Sequence, residues 1–312
     1  MKKSEFHRIA TIDIGTNGIK FKQYRIDVNK KSKIQQDTFS RVNIRLGDDV
    51  FNYGLISENT QKKLFKELSK LIESVKKRNI KWIGICATSA MRSAENGKDI
   101  CERLASELNV DVRLLSGNEE AYFLKYLNTK KIADLNNYLS IDIGGGSTEL
   151  HIKHGDEEYL QSVDLGAVRL LQQKDSKEEW DKLDDFLNKI GYLNAEALVG
   201  IGGNIRSLLE ISGKDKFTSL GYEEFITLQK KLENNSLDDR KKLFNLGDHR
   251  ADVIVPATKI IERILNKTGI KDLYALNWSL CDAIAFDYYL KNEEAFISVS
   301  YTHLTLPTIL LV

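Results

Sequence analysis

Two aspartates set in glycine-containing turns are the first residues of this chain whose surroundings suggest chemistry. Ile12-Asp13-Ile14-Gly15-Thr16-Asn17-Gly18 recurs as Ile141-Asp142-Ile143-Gly144-Gly145-Gly146-Ser147, with the aspartates 129 residues apart (13 to 142). Glycine lets N–H groups approach a ligand with no Cβ in the way, and a run of inward-pointing N–H groups forms an anion nest. Thr16, Ser147 and Thr148 would add hydroxyl donors. A third turn, Gly202-Gly203-Asn204, precedes a helix expected over 204–211, whose N-terminus would face the same anion. An aspartate beside a phosphate nest repels the ligand unless a hard cation lies between them. Asp13 and Asp142 are therefore candidate ligands of Mg²⁺, which commonly takes one or two carboxylates together with waters and phosphate oxygens. Glu149, on the return strand seven residues after Asp142, could complete the site; its other reading is an exposed strand carboxylate.

Two further features carry charge to the same region. In Leu115-Ser116-Gly117-Asn118-Glu119-Glu120-Ala121 a strand stops and a helix begins at Asn118 with two acids in its first turn. Such acids compensate the helix dipole; their place just before the crossing between halves also suits a general base facing a cleft. Arg92, shortly after a strand over 82–87, could hold a phosphoryl group with its planar guanidinium, or form a surface ion pair.

The elements that must position these residues are α/β throughout. Each Asp-Gly turn ends an apolar β-rich run and is followed by alternating residues, Ile19-Lys20-Phe21-Lys22 and Glu149-Leu150-His151-Ile152. Strand, turn, strand is a hairpin, and two hairpins one domain apart indicate a duplicated architecture. Ser57 is expected to cap a helix whose core face is Leu64, Leu68, Leu71, Ile72 and Val75. Helices are predicted over 99–108, 178–190, 204–211, 223–233, 251–265 and 279–290, and strands over 82–87, 112–115 and 197–201. The length of 312 residues suits two domains, placed at 1–130 and 131–296. From Ile297 onward the chain carries no Asp, Glu, Lys or Arg, and SVSYTHLTLPT resembles a translated sequencing adapter, so 297–312 reads as a non-native tail.

Lys plus Arg number 46 against 45 Asp plus Glu, which argues against a nucleic-acid binder but permits a local field for an anionic ligand. No stretch of 18 apolar residues suggests a membrane span, and the polar start at Met1–Arg8 suggests no signal segment, so a cytoplasmic protein is expected. Cys86, Cys101 and Cys281 lack CxxC spacing and read as free thiols, and the five histidines have no metal-ligand spacing.

Together these blocks resemble the exopolyphosphatase / guanosine pentaphosphate phosphatase (Ppx/GppA) family. IDIGTN, ATSAMR, LSGNEEA, DIGGGSTEL, LGAVRL, GIGGN and RADVIVP carry the likeness across about residues 8–290. The resemblance implies two actin-like, ribonuclease-H-like domains with the active site in the cleft between them. It also implies Mg²⁺ and release of orthophosphate from polyphosphate, or of the γ-phosphate from guanosine pentaphosphate (pppGpp). By position it makes Glu120 the general base, Asp142 and Glu149 the metal-associated carboxylates, Arg92 a phosphate-binding arginine, and the glycine turns the phosphate loops. A homodimer is expected on the same ground alone. Three departures are visible: Gly18 stands where the family usually has Ser, Asn204 where it has Thr, and Asn277–Ala283 where a Gly-Leu-Arg-Glu/Asp-Gly-like segment is common, so that its arginine and glycine are missing. Gly18 and the 277–283 segment motivate one rival, a catalytically degenerate polyphosphate or ppGpp sensor; the shared hairpin loops motivate another, an ATP-dependent kinase of the same superfamily, against which the SGNEEA block stands.

Overall fold

The structure, a computed structural model, describes residues 6–27, 34–78, 80–127, 135–215 and 218–292. The expected domain junction at 130/131 and the tail 297–312 lie outside the described residues.

The first alternating run folds as expected. β1 (Phe6–Gly15) and β2 (Gly18–Asp27) form an antiparallel hairpin whose register pairs Gly15 with Gly18 and Asp13 with Lys20. β3 (Ile34–Val42) adds an antiparallel edge, followed by α1 (Leu46–Tyr53) and α2 (Glu58–Lys77). The Ser57 hydroxyl caps α2 by accepting from the Thr60 amide, and Leu64, Leu68, Ile72 and Val75 form its buried face. β4 (Trp82–Ala87) returns parallel to β1; α3 (Ser89–Ser93) and α4 (Gly97–Leu108) then lead to β5 (Val112–Leu114), parallel to β4. The order is β3-β2-β1-β4-β5.

After α5 (Gly117–Phe123) the same plan starts again. β6 (Tyr138–Ile143), β7 (Thr148–His154) and β8 (Glu157–Val163) form an antiparallel meander, followed by α6 (Ala167–Leu171) and α7 (Lys177–Ile190). β9 (Ala197–Ile201) lies parallel to β6 and feeds α8 (Gly202–Ile211), and a two-residue β10 (Leu220–Gly221) comes next. Four helices, α9 (Tyr222–Glu233), α10 (Leu237–Leu243), α11 (Asp248–Ala251) and α12 (Ile254–Thr268), precede β11 (Asp272–Ala275), which is parallel to β9. With β10 set aside, β8-β7-β6-β9-β11 repeats the first sheet strand for strand and direction for direction. The repeated motif is thus the visible part of a duplicated actin-like fold.

Two details differ from the sequence reading. The helix expected over 251–265 is broken at Asp252 and Val253. Pro256 accounts for the break: with no N–H it is tolerated in a helix's first turn, where no donor is needed, so the helix restarts at Ile254. The last helix, α13 (Leu280–Lys291), does not stay with the half that precedes it. It packs on the first sheet, where Ala285 and Tyr289 join Ile9, Tyr24 and Ile26 in a buried group.

At the root of α13, Asp282 Oδ2 accepts from Lys22 Nζ at 2.6 Å and from Ser279 Oγ at 2.7 Å, while Tyr24 OH donates to Oδ1 at 2.9 Å. Within the variant segment 277–283, Asp282 keeps the acidic residue of the family pattern and pins α13. Removing one partner of a buried pair strands the other charge, at a cost of roughly 3–5 kcal/mol. Asp282→Ala should lower the unfolding free energy by that order in chemical denaturation, and adding Lys22→Met should recover much of the loss.

Candidate active site between the two halves

The turns that end β1, β6 and β9 meet in one cleft. Its walls include Asp13, Gly15, Thr16, Asn17 and Gly18 from the first turn, Asp142 and Gly144 to Ser147 from the second, and Gly202, Gly203 and Asn204 from the third. Glu120 and Glu149 close it from one side. The two hairpin turns touch. A Cβ on Gly145 would lie 2.9 Å from Thr16 Cβ, and one on Gly146 would lie 2.4 Å from Ser89 Oγ, so the approach is open only to glycine. Gly202 has φ +82°, and a Cβ there would lie 2.6 Å from Asp142 Oδ1.

The hairpin register sets the carboxylates. Asp142 and Glu149 are directly opposed across β6 and β7, just as Asp13 and Lys20 are across β1 and β2. Lys20 Nζ donates to Asp13 Oδ2 at 2.9 Å. Burial works to lower the Lys20 pKa, but Asp13 and Asp142 together raise it. Glu149 is buried and accepts from Ser147 Oγ at 2.6 Å and Ser162 Oγ at 3.1 Å. Burial, with Asp142 adding its charge, pushes its carboxyl up to about 8 against those hydrogen bonds. Burial and Asp13 likewise raise Asp142.

The two readings of the acidic first turn divide between neighbours. Glu119 completes a capping box with Ser116, its Oε2 accepting from the Ser116 amide at 2.8 Å. Glu120 turns into the cleft, its side chain 11% exposed, and accepts from Arg92 Nη1 at 2.6 Å. Burial first, and Glu149 second, hold the Glu120 carboxyl well above the usual range despite Arg92. Arg92 also donates to the Leu115 carbonyl at 2.7 Å, so it orients Glu120 from behind and does not line the cleft. Thr148 departs from expectation: its side chain is fully buried and its hydroxyl donates to the Leu165 carbonyl at 2.5 Å, away from the cleft. Asn204 lines the cleft but spends its amide on the Ile143 carbonyl at 2.8 Å and on Arg250.

Several site residues escaped the sequence reading. Lys20 had a usable signal, since it follows Asp13 by the same seven residues that separate Glu149 from Asp142. Arg250 lay in a block noted without a role. Thr88 and Ser89, which lie in the ATSAMR block noted without a role for them, also line the cleft, as does Arg41, which carried no local signal. Arg41 fills the space a side chain at position 18 would use: a Cβ on Gly18 would lie 3.0 Å from its Nε. A second cavity continues outward past Lys20, Lys22, Arg41, Arg206 and Arg250. Burial, and then repulsion from Arg41 and Arg206, lower Arg250 to about 10. Arg41 Nε and Ser89 Oγ are buried without a hydrogen-bond partner among the described residues.

Among the described residues, no three His, Cys, Asp or Glu side chains stand close enough to enclose a metal ion by themselves. The donor set nevertheless fits Mg²⁺, which needs only one or two carboxylates when water and phosphate oxygens supply the rest. Asp142 and Glu149 are hard oxygen donors under mutual repulsion that a cation would relieve. Asp13 is already bonded to Lys20.

The chain thus presents a duplicated actin-like fold with glycine turns and carboxylates facing one cleft. The chain belongs to the Ppx/GppA phosphatase family, matching it over residues 26–291. It is 27% identical over 304 residues to a bifunctional 3-dehydroquinate synthase/phosphatase of Fusobacterium nucleatum, covering 86% of this chain and 44% of that protein, so it spans less than half of that relative's length. It is 23% identical to exopolyphosphatase 1 of Mycobacterium tuberculosis, covering 89% of this chain and 87% of that one. It is 25% identical to the guanosine-5'-triphosphate,3'-diphosphate pyrophosphatase of Vibrio cholerae, covering 87% and 54%. Among solved structures, an exopolyphosphatase from Cytophaga hutchinsonii superposes with a TM-score of 0.78 at 23% identity, covering 92% of this chain and 98% of that one. The Aquifex aeolicus family member gives 0.74 at 22%, covering 92% and 99%. Among the described residues, no helix is long and apolar enough to cross a membrane.

A carboxyl whose pKa is raised in the fold binds its proton more tightly there than in the unfolded chain. Its penalty is absent at low pH and grows as pH rises from the unfolded value toward the folded one. For Glu149, raised from 4.5 to about 8, the penalty at pH 8 is up to roughly 5 kcal/mol. The melting temperature of metal-free protein should fall between about pH 5 and 8, and Glu149→Gln should flatten that slope. Thermal scans across this pH range check it.

Proposed function

We propose that this protein is a Mg²⁺-dependent phosphohydrolase that removes the terminal phosphoryl group of polyphosphate or of pppGpp. The observation that carries the reading is Glu120: a buried carboxylate oriented by Arg92, of raised pKa, facing the glycine turns across the cleft. A carboxylate whose pKa is raised is a stronger base toward a proton of water than an ordinary one. The resemblance to relatives named for exopolyphosphatase and pppGpp pyrophosphatase activity supports the same chemistry.

In this reading Glu120 takes the proton of a water placed in line with the terminal phosphorus, and the bridging oxygen departs with the rest of the chain. The backbones of the three glycine turns, with Ser89, hold the phosphoryl oxygens. Asp142 and Glu149 would hold Mg²⁺, which when bound neutralises charge on those oxygens. Lys20, Arg41 and Arg250 receive the negative charge of the following phosphates, and the basic cavity beyond them suits a substrate with more than one phosphate after the scissile bond.

The test is phosphate release from long polyphosphate, short polyphosphate and pppGpp, with Mg²⁺ and with chelator. Glu120→Gln should reduce turnover by about 10²–10⁴-fold with little change in substrate binding, and chelation should abolish release. Equal background hydrolysis by wild type and Glu120→Gln, with binding retained, would favour a sensor. Turnover only with ATP and an acceptor would favour a kinase.

A further inference from the structure

We infer that Arg45 is a positioning residue for the first phosphate turn, and that its pair with Asp252 clasps the two halves around the cleft. Arg45 stands at the N-cap of α1, where its guanidinium, a donor with no acceptor atom, turns to other partners instead of capping the helix. Nε donates to Asn17 Oδ1 at 2.6 Å, inside the first turn. Nη1 and Nη2 donate to the two oxygens of Asp252 at 2.5 and 3.1 Å, a forked pair between opposite halves of the chain. The Arg45 side chain is 9% exposed, and Arg45 does not line the cleft. All three of its nitrogens are engaged by protein, so it acts on substrate only through the turn it holds.

The other side of the turn is held from the same place. Asn17 Nδ2 donates to the His249 carbonyl at 2.9 Å, and the Gly47 amide donates to the Thr16 carbonyl at 3.1 Å. The loop carrying two cleft residues is thus strung between α1 and the break that Pro256 imposes after α11. That break gives the RADVIVP block its purpose: Arg250 reaches Asn204, and Asp252, freed from a continuous helix, meets Arg45. Asp252 is also the carboxylate that answers a local excess of cations. Arg45 acts on both Arg41 and Arg250 as a like charge, and Asp252 opposes it at Arg250. Without Asp252 these arginines would repel one another across the mouth of the cleft. Lysine cannot replace Arg45, because one ammonium cannot serve Asp252 bidentately and Asn17 together.

The activity arm of the test rests on the phosphohydrolase reading; the scattering arm does not. Arg45→Ala, Asp252→Ala, Asp252→Asn, the double alanine variant, Arg45→Lys and a control, Gln172→Ala, which removes the cross-half bond from Gln172 Nε2 to Asp48 Oδ1, are compared by small-angle scattering and by kcat and KM for phosphate release. Each alanine variant and Asp252→Asn should enlarge the radius of gyration and lower kcat/KM at least tenfold, mostly through KM. The double variant should be no worse than the worse single. Arg45→Lys should keep the compact form yet lose several-fold in kcat/KM, and Gln172→Ala should match wild type. If an alanine variant fails to fold, Asp252→Asn decides the question. Loss of activity on changing Arg45 with wild-type behaviour of Asp252→Asn would make Arg45 a substrate contact and overturn the clasp, as would unchanged scattering in every variant. A wild type that releases no phosphate overturns the functional reading alone, and the scattering series still decides the clasp.

Discussion

Thr16 of one hairpin turn lies against Gly145 and Gly146 of the other, and the site depends on that contact. Each turn ends the first strand of its own sheet, so pressing the turns together brings the ends of β1 and β6 to one point. Antiparallel register then places a residue opposite each aspartate on the return strand. A bulkier residue at 145 or 146 would separate the sheets by the width of a methyl group and widen every distance across the cleft. The rest of the architecture, two sheets of the same strand order, serves to carry two such turns to a common place.

This convergence concentrates negative charge where little water remains. Glu120, Asp142 and Glu149 all have raised pKa values, and in each case burial is the first cause, with another carboxylate adding to it. Lys20 relieves Asp13, and Arg92 orients Glu120. On the outward side the sign reverses, and Lys22, Arg41, Arg206 and Arg250 line the continuing cavity. An anionic chain entering from that side would therefore meet cations first and carboxylates last. The carboxylates would then lie nearest its terminal phosphoryl group, where a base and a cation are both of use.

Much of this was legible in the sequence because hairpins have short-range signals. Alternation through Ile19-Lys20-Phe21-Lys22 and the repeated Asp-x-Gly frame are properties of adjacent residues, so the hairpins and the pairing of Asp142 with Glu149 could be read. The same register placed Lys20 opposite Asp13, a signal present but unused. Pro256 equally announced the helix break that frees Asp252. Arg41 and Arg206 had no such signal: they reach the outward cavity from an edge strand and a helix, and only tertiary packing brings them together there. Thr148 failed for a related reason. It belongs by sequence to a phosphate-like turn, but it is the first residue of β7, and it faces the Leu165 carbonyl. Glu119 and Glu120 are adjacent and chemically alike, and only helical phase separates a cap from a residue of the cleft.

The central claim is that water, activated in this cleft, attacks the terminal phosphorus. The most direct measurement is a single-turnover reaction in ¹⁸O-labelled water with Mg²⁺ and either polyphosphate or pppGpp, followed by mass analysis of both products. One ¹⁸O atom in the released orthophosphate and none in the remaining chain or nucleotide is the expected result. Label in the remaining chain or nucleotide, or no orthophosphate from either substrate without an acceptor, would contradict it.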